Sequence, residues 1–457
     1  MTELGAPPQR PWEMAVLEQL DAPIPAAVRR AGESVVTDVL AATVAGAAVP
    51  ALRELRETAD LPAGDVPLLG TDMQTSLPFA AMLNTAAAIA VEIEEGHNRG
   101  GHVGASLIAG SIGAAQAHAL DGGTYVDHCI RVYEVCVRLE EAIFVMKDRL
   151  NAAVPWVLRD PHATWTVVGP ALATALCMGA DDAQLRETFR IGANLAVISM
   201  YDPYAEGAPA RNLTAGMSAQ AGVSAAIAAT GGIQGSPAAM RAVYDPLDEM
   251  VDGFDEMFAE LGEHWEITEA YHKPVPSCRY THPPLDALID AIGADEVDVD
   301  AIEAIRVNTF TNAAEMDHTD PQTMTGGKFS TPYVLSRYLT DRAVTHADFE
   351  PARVSDTTLR PLMQRIRLQA DPAFDDRFPD EWGAAVQVQL TDGTQLEGSC
   401  RHPRGDHRNP LPAAERRQRD AELLALSLPD AEAALAALDA IATKPIRPTA
   451  EALCQRS

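Results

Sequence analysis

The strongest constraint on this chain is a succession of alanine-rich apolar segments, separated by short polar breaks. They include AAVRRAGESVVTDVLAATVAGA (26–47), SLPFAAMLNTAAAIAVEIEE (76–95), HVGASLIAGSIGAAQAHAL (102–120) and TYVDHCIRVYEVCVRLEEAIFVMKDRL (124–150). VVGPALATALCMGA (167–180), DAQLRETFRIGANLAVISM (182–200) and AGMSAQAGVSAAIAATGGI (215–233) continue the series. Alanine is the best helix former, and the larger apolar residues recur at helical spacing. Small residues on several faces predict helices packed closely against one another. No uninterrupted apolar run is long enough to span a bilayer, so a soluble protein is expected.

The texture changes after about residue 270. VDAIEAIRVNTF and MQRIRLQAD read as strands, and FSTPYVLSRYLTD as a short helix. AAVQVQLTDGTQLEGSC is a hairpin signal, two alternating runs around Asp392-Gly393. AAERRQRDAELLALSLPDAEAALAALDAIA returns to helix. The fold class expected is mainly α: a large all-helical domain made from residues 1–272 and 403–457, with a smaller α+β lid inserted at 273–402.

Charge narrows the function. The net charge is −30, which leaves no basic excess to neutralise phosphates and disfavours a nucleic-acid partner. Lysine occurs only at positions 147, 273, 328 and 444, a scarcity that a salt-adapted or an arginine-biased source would each explain. The N-terminus, MTELGAPPQRPWEM, lacks the basic start and apolar core of a signal peptide, so a cytoplasmic location is expected. The six cysteines are scattered without a C-x-x-C pair, which argues against a disulfide framework or a structural zinc site. Phosphate-binding loops, dinucleotide fingerprints, H-E-x-x-H and the G-x-S-x-G elbow are all missing from the sequence.

Chemistry-bearing residues cluster instead in AVEIEEGHNRGGHVGAS (90–106), a glycine-broken stretch between two apolar helices. It holds Glu92, Glu94, Glu95, His97, Arg99 and His102. Glu92, Glu95, His97 and His102 are conceivable metal ligands, but their spacing matches no recognised metal site and none is expected. Other breaks add PHATWTVVG with His162 and Thr164, GAPARNLTAG with Arg211, and KPVPSCRYTHPPLDA with Lys273, Arg279 and His282. KFSTPYVLSRYL adds Tyr333.

In this order the motifs resemble those of the MmgE/PrpD family. TDVLAATVAGA looks like its opening D-x-L-x(4)-A-G helix, and AVEIEEGHNRGGHVGAS like its A-x-D-x-D-D-x-H…H-P-G/S segment. YEVCVRLEEAI matches Y-E-V-x-x-R-L, PHATWTVVG resembles H-x-T-x-T-x-G, and KPVPSCRYTHPPLDA is close to K-P-Y-P-x-C-x-x-x-H-x-x-x-D-A. FSTPYVLSRYL is similar to F-S-x-P-Y, and VQLTDGTQLEGSCRHPRGDHRNPL follows a D-G hairpin and P-R-G-x-x-x-N-P-L. The resemblance covers residues 26 to about 415. It implies a helical domain with an α+β lid, an active site in the cleft between them, a homodimer, and no metal or organic cofactor. The expected activity is that of a lyase on small di- or tricarboxylates, foremost 2-methylcitrate dehydratase-like loss of water. Decarboxylation of a cis-aconitate-like acid and epimerisation of a dicarboxylate are the enzyme alternatives, and a non-catalytic binding protein the other.

Carried over by position, the resemblance assigns catalytic roles to Glu92, His102, His162, Lys273, His282 and Tyr333, and substrate binding to Arg211, Arg279, His97 and Thr164. His102 and His162 would exchange protons, with Glu92 orienting one imidazole, because histidine titrates near neutrality. Lys273, Arg211 and Arg279 would neutralise substrate carboxylates, and His282 and Tyr333 would complete the acid side. Glu94 and Glu95 read as surface or supporting groups. The chain departs from the family where Glu92 replaces an aspartate, Gly96 a hydroxyl residue, Val103 a proline and Arg211 a lysine. An arginine cannot act as an ordinary proton donor, though it can clamp a carboxylate with two hydrogen bonds.

Overall fold

The computed structural model describes residues 11–153, 165–196, 207–244, 258, 261–293 and 297–455. The fold is mainly α, with a four-stranded sheet and a two-stranded ladder of Val66–Pro67 against Gln74–Thr75. Its first helices are α1 (Pro11–Asp21), α2 (Ala26–Gly46), α3 (Pro50–Thr58), α4 (Leu77–Ala90), α5 (Val103–Ala117) and α6 (Gly122–Ala153). They are followed by α7 (Val168–Cys177), α8 (Asp182–Asn194) and α9 (Ala210–Thr230). α4 and α5 pack on each other, and α2 and α9 each pack on both, with alanines and glycines that let the helix backbones approach closely. Among the described residues no single helix is long and apolar enough to cross a membrane, and the apolar α2 is instead buried by its neighbours.

Two main apolar cores result. The larger joins residues between Trp12 and Ala270 to the C-terminal helices, from Leu423 to Leu453. α13 (Ala413–Ala425), numbered after three helices described next, packs on α2. The smaller core runs from Leu285 to Val388. Its sheet has strands β1 (Ile302–Thr309), β2 (Ile366–Ala370), β3 (Ala384–Leu390) and β4 (Gln395–Cys400), in the order β2-β1-β3-β4. β1 pairs parallel to β2 and antiparallel to β3, and β3–β4 is the hairpin around Asp392-Gly393. α10 (His282–Ile292) covers the hairpin. α11 (Met324–Lys328) and α12 (Thr331–Asp341) close the rest of this core.

Two helix expectations need correction. The segment 76–95 is not one helix: α4 stops at Ala90, and Glu92 takes a left-handed backbone with φ of 55°. The C-terminal run is also split, because helix ends at Ala425 and restarts at Ala431, where Asp430 caps the new first turn.

Candidate active site

The α4–α5 connection turns its carboxylates inward. A left-handed conformation at a residue with a side chain costs roughly 1–3 kcal/mol and is retained where the surroundings impose it. Here it places the Glu92 carboxylate between two cations: it pairs with Arg211 of α9 and accepts from Lys273 Nζ at 3.2 Å. Glu94 is fully buried, with Oε1 2.9 Å from His102 Nδ1 and 3.7 Å from Lys273 Nζ. The Glu95 carboxylate accepts the Gly104 N–H at the start of α5 and the Tyr133 hydroxyl at 3.1 Å. A β-carbon at Gly104 would lie 2.3 Å from that carboxylate, and one at Gly96 would lie 2.3 Å from the Tyr271 hydroxyl. Gly104 thus lets Glu95 fold back onto the start of α5, and Gly96 lets the loop close on the Tyr271–Lys273 segment, joined by main-chain hydrogen bonds between Gly96 and Tyr271.

The charges settle unevenly. Burial opposes the charged form of Glu94, but Lys273 and His102 outweigh it and hold the carboxyl below its usual range. Glu95 goes the other way: burial pushes it up to about 8, against the Gly104 N–H and helped by Asp38. His102 Nδ1 lies against two acceptors, Glu94 Oε1 and the Glu95 carbonyl at 3.3 Å. Nδ1 therefore carries a proton, and Nε2 is the basic nitrogen. Glu94, not Glu92, orients this imidazole, and of the surface and supporting alternatives for Glu94 and Glu95 the buried, supporting one is found.

Of the residues expected in the site, Glu92, His102, Arg211 and Lys273 come together. His282 and Arg279 are adjacent but committed elsewhere. Arg279 donates to the carbonyls of Arg404 at 2.9 Å and Pro403 at 3.1 Å and stacks on Tyr271. His282 Nδ1 lies 3.3 Å from Arg279 and Nε2 3.3 Å from the Ser277 carbonyl. Burial, with Arg279 and Lys273, drives its pKa well below the usual value, so it is neutral. His97 faces Glu266, which Arg138 holds from the other side at 2.9 Å. Tyr333 is not placed in the cluster. Ser330 caps α12 and directs Tyr333 into the smaller core, where its hydroxyl donates to the Asp348 carbonyl and accepts from Arg337. His162 and Thr164 lie outside the described residues. The sequence reading passed over Lys328, although it stands next to the F-S-x-P-Y motif. Its Nζ is buried beside this cluster and donates to the Ala90 carbonyl at 2.8 Å.

Among the described residues, two groups have ligand atoms close enough for a cation: Glu92, Glu94 and His102, and His97, Glu266 and Glu269. In the first, a metal would compete with Lys273 and Arg211 for Glu92. In the second, His97 Nδ1 accepts the Arg99 and Gly100 N–H groups, which fixes the proton on Nε2. That nitrogen presents a hydrogen to Glu266 rather than a lone pair to a metal.

A second ionic network lies directly beside the first. His272 Nε2 is 3.1 Å from Ser34 Oγ, and Nδ1 is 3.0 Å from Asp38 Oδ1. These are the spacings of a nucleophilic triad. Ser34 lies inside α2, however, where its N–H is part of the helix and unavailable to an oxyanion. Arg419 of α13 also binds Asp38 and donates to the Lys273 carbonyl at 2.8 Å. The network is a clamp that fixes the 272–273 segment.

Residues 18–257 match the MmgE/PrpD N-terminal domain, and residues 275–442 match the MmgE/PrpD C-terminal domain. The chain belongs to the MmgE/PrpD family. A curated relative is the cis-aconitate decarboxylase of Aspergillus terreus, 22% identical over 426 residues, covering 85% of this chain and 83% of the relative. The cis-aconitate decarboxylase of Aspergillus terreus strain NIH 2624 / FGSC A1156 matches equally, at 22% over 426 residues. The family includes lyases, which supports an enzyme of lyase type. Within this MmgE/PrpD chain the cluster draws on both matched regions: Glu92, Glu94, His102 and Arg211 from the first, Lys328 from the second.

Proposed function

We propose that the protein is a lyase that uses its own side chains, without a cofactor, to eliminate water from a small di- or tricarboxylate. The observation that carries this is the Glu94–His102 pair set among Lys273 and Arg211. His102 Nε2 takes the proton from the carbon next to a substrate carboxylate. Glu94 holds the ring and stabilises the imidazolium that forms. Lys273 and Arg211 receive carboxylates, and a substrate carboxylate binds by exchanging with Glu92 on these cations. Neutralising that carboxylate lowers the cost of carbanion character beside it. An acidic protein needs such a local cationic pocket to admit an anion.

Decarboxylation is the second reading, favoured by the two cis-aconitate decarboxylase relatives. The same cations would hold the acid, and His102 would deliver a proton to the allylic carbanion left by loss of CO₂, as the double bond shifts. Incubation with a panel of polycarboxylates in heavy water, followed by proton NMR, separates the readings. Elimination yields an alkene, seen as a vinyl or an allylic methyl resonance, with retention of every carboxyl carbon; decarboxylation releases CO₂ and incorporates deuterium into the shortened product. A folded protein that changes no acid on the panel would refute both.

A further inference from the structure

Lys328 ends α11, in the smaller core, yet reaches across to the end of α4. It is 1% exposed. Its hydrogen-bond acceptor is a neutral main-chain oxygen, that of Ala90, and among the described residues no carboxylate lies within ion-pair distance of Nζ. The charged groups acting on it are Glu94, Arg211 and Lys273 from the helical side, and His346 from its own side. The Phe349 ring lies 5.9 Å from Nζ. The neighbouring cations are differently employed. Lys273 is paired with Glu92 and Glu94, and Arg211 with Glu92. An arginine, moreover, does not give up its proton. Lys328 can lose a proton without breaking an ion pair.

We propose that Lys328 is the proton donor to the departing hydroxyl, the task that Arg211 cannot perform. The proposal rests on the elimination reading above. His102 Nε2 removes the C–H proton, the C–H electron pair becomes the new C=C bond, and the C–O bond breaks with its electrons on oxygen. That oxygen takes a proton from Lys328 Nζ and leaves as water. His102 is left protonated and Lys328 neutral; one proton passes back between them through solvent after product leaves, so the cycle closes without any other reactant. The surroundings suit this role. Burial lowers the pKa of Lys328 to about 7, opposed by Glu94 and helped by Arg211 and Lys273. At neutral pH the group can therefore both give and regain a proton.

The test combines kinetics with a measurement that needs no turnover. Lys328→Met keeps the length of the side chain in a buried place, and Lys328→Arg keeps the charge but not the exchangeable proton. Each should lower kcat by at least ~10²-fold, with KM changed by less than about 3-fold. A Lys328→Arg enzyme with near-normal kcat, or a Lys328→Met enzyme that loses only KM, would make Lys328 a carboxylate binder and overturn the assignment. The chain has four lysines, so carbon-13 labelling of lysine gives few resonances. The one that disappears in Lys328→Met should titrate near neutrality, and a midpoint near that of free lysine would overturn the proposal. A wild-type protein inert toward every acid would refute the elimination reading and this assignment together. An active wild type with unimpaired variants would refute the assignment alone.

Discussion

His272 and Lys273 are neighbours in sequence but serve two buried ionic clusters of opposite character. On the His272 side, Asp38 and Asp420 share Arg419 and His272, and the Asp38 carboxyl is held at about 2, because Arg419 and His272 outweigh the burial that would raise it. On the Lys273 side, Arg211, Lys273 and Lys328 face Glu92 and Glu94, while the buried Glu95 favours its neutral form. The first cluster is balanced and carries architecture. Among the described residues the second sets three cationic side chains beside two carboxylates and holds an imidazole in one tautomer, which suits an anionic substrate and a proton transfer. Burial of charge does not by itself distinguish structure from chemistry; the balance of charges does.

The comparison predicts that the clamp governs stability and the site governs turnover. Arg419→Met leaves Asp38 buried without its main partner and should cost about 3–5 kcal/mol in unfolding experiments. Its kcat, measured on the folded fraction, should stay within about 10-fold of normal. A variant that is stable but inactive would break the division. His102→Ala should reverse the pattern, lowering kcat by roughly 10³-fold with the melting curve nearly unchanged. Glu94→Gln should cost about 10²-fold in kcat, and Glu92→Gln less, with its effect mainly on KM. If the order is reversed, Glu92 is the residue that orients the histidine.

The smallest effect concerns pH. Glu95 has its pKa raised on folding, so the folded state binds its proton more tightly than the unfolded chain does. Its contribution is fully present below the ordinary glutamate range and is lost as pH rises toward about 8. Glu95→Gln should therefore melt higher than the wild type above pH 8, by roughly 2–4 °C, and show little gain at pH 4. Equal shifts at both pH values would show that Glu95 is ionised in the fold.

Much of the fold was legible because it rests on local rules. Alanine-rich periodicity marks α2, α5 and α9, and Asp392-Gly393 marks the hairpin. The end of α4 was not legible, because Glu92 is held left-handed by partners distant in sequence, Arg211 and Lys273. Motif order singled out Glu92, His102, Lys273 and Arg211, which the fold brings together. For Glu94 and Glu95 the choice between surface and supporting groups stayed open, because carboxylates after a helix usually face water and only Lys273, Tyr133 and the start of α5 turn them inward. Tyr333 was misassigned because its role depends on which way α12 faces, and that is set by the packing of the smaller core. Lys328 carried one usable signal, its rarity as a lysine in this chain.

The hold of Arg419 on the Lys273 carbonyl has a consequence for biosynthesis. The ribosome delivers α4, the Glu92–His102 loop and α9 early, and Lys273 somewhat later. The helix that fastens Lys273 emerges only after the whole sheet has been made. Until then the helical core lacks a wall, since residues from Leu423 to Leu453 belong to it. The nascent chain must keep its alanine-rich helices from straying while it waits, and the cationic pocket is among the last parts to become functional.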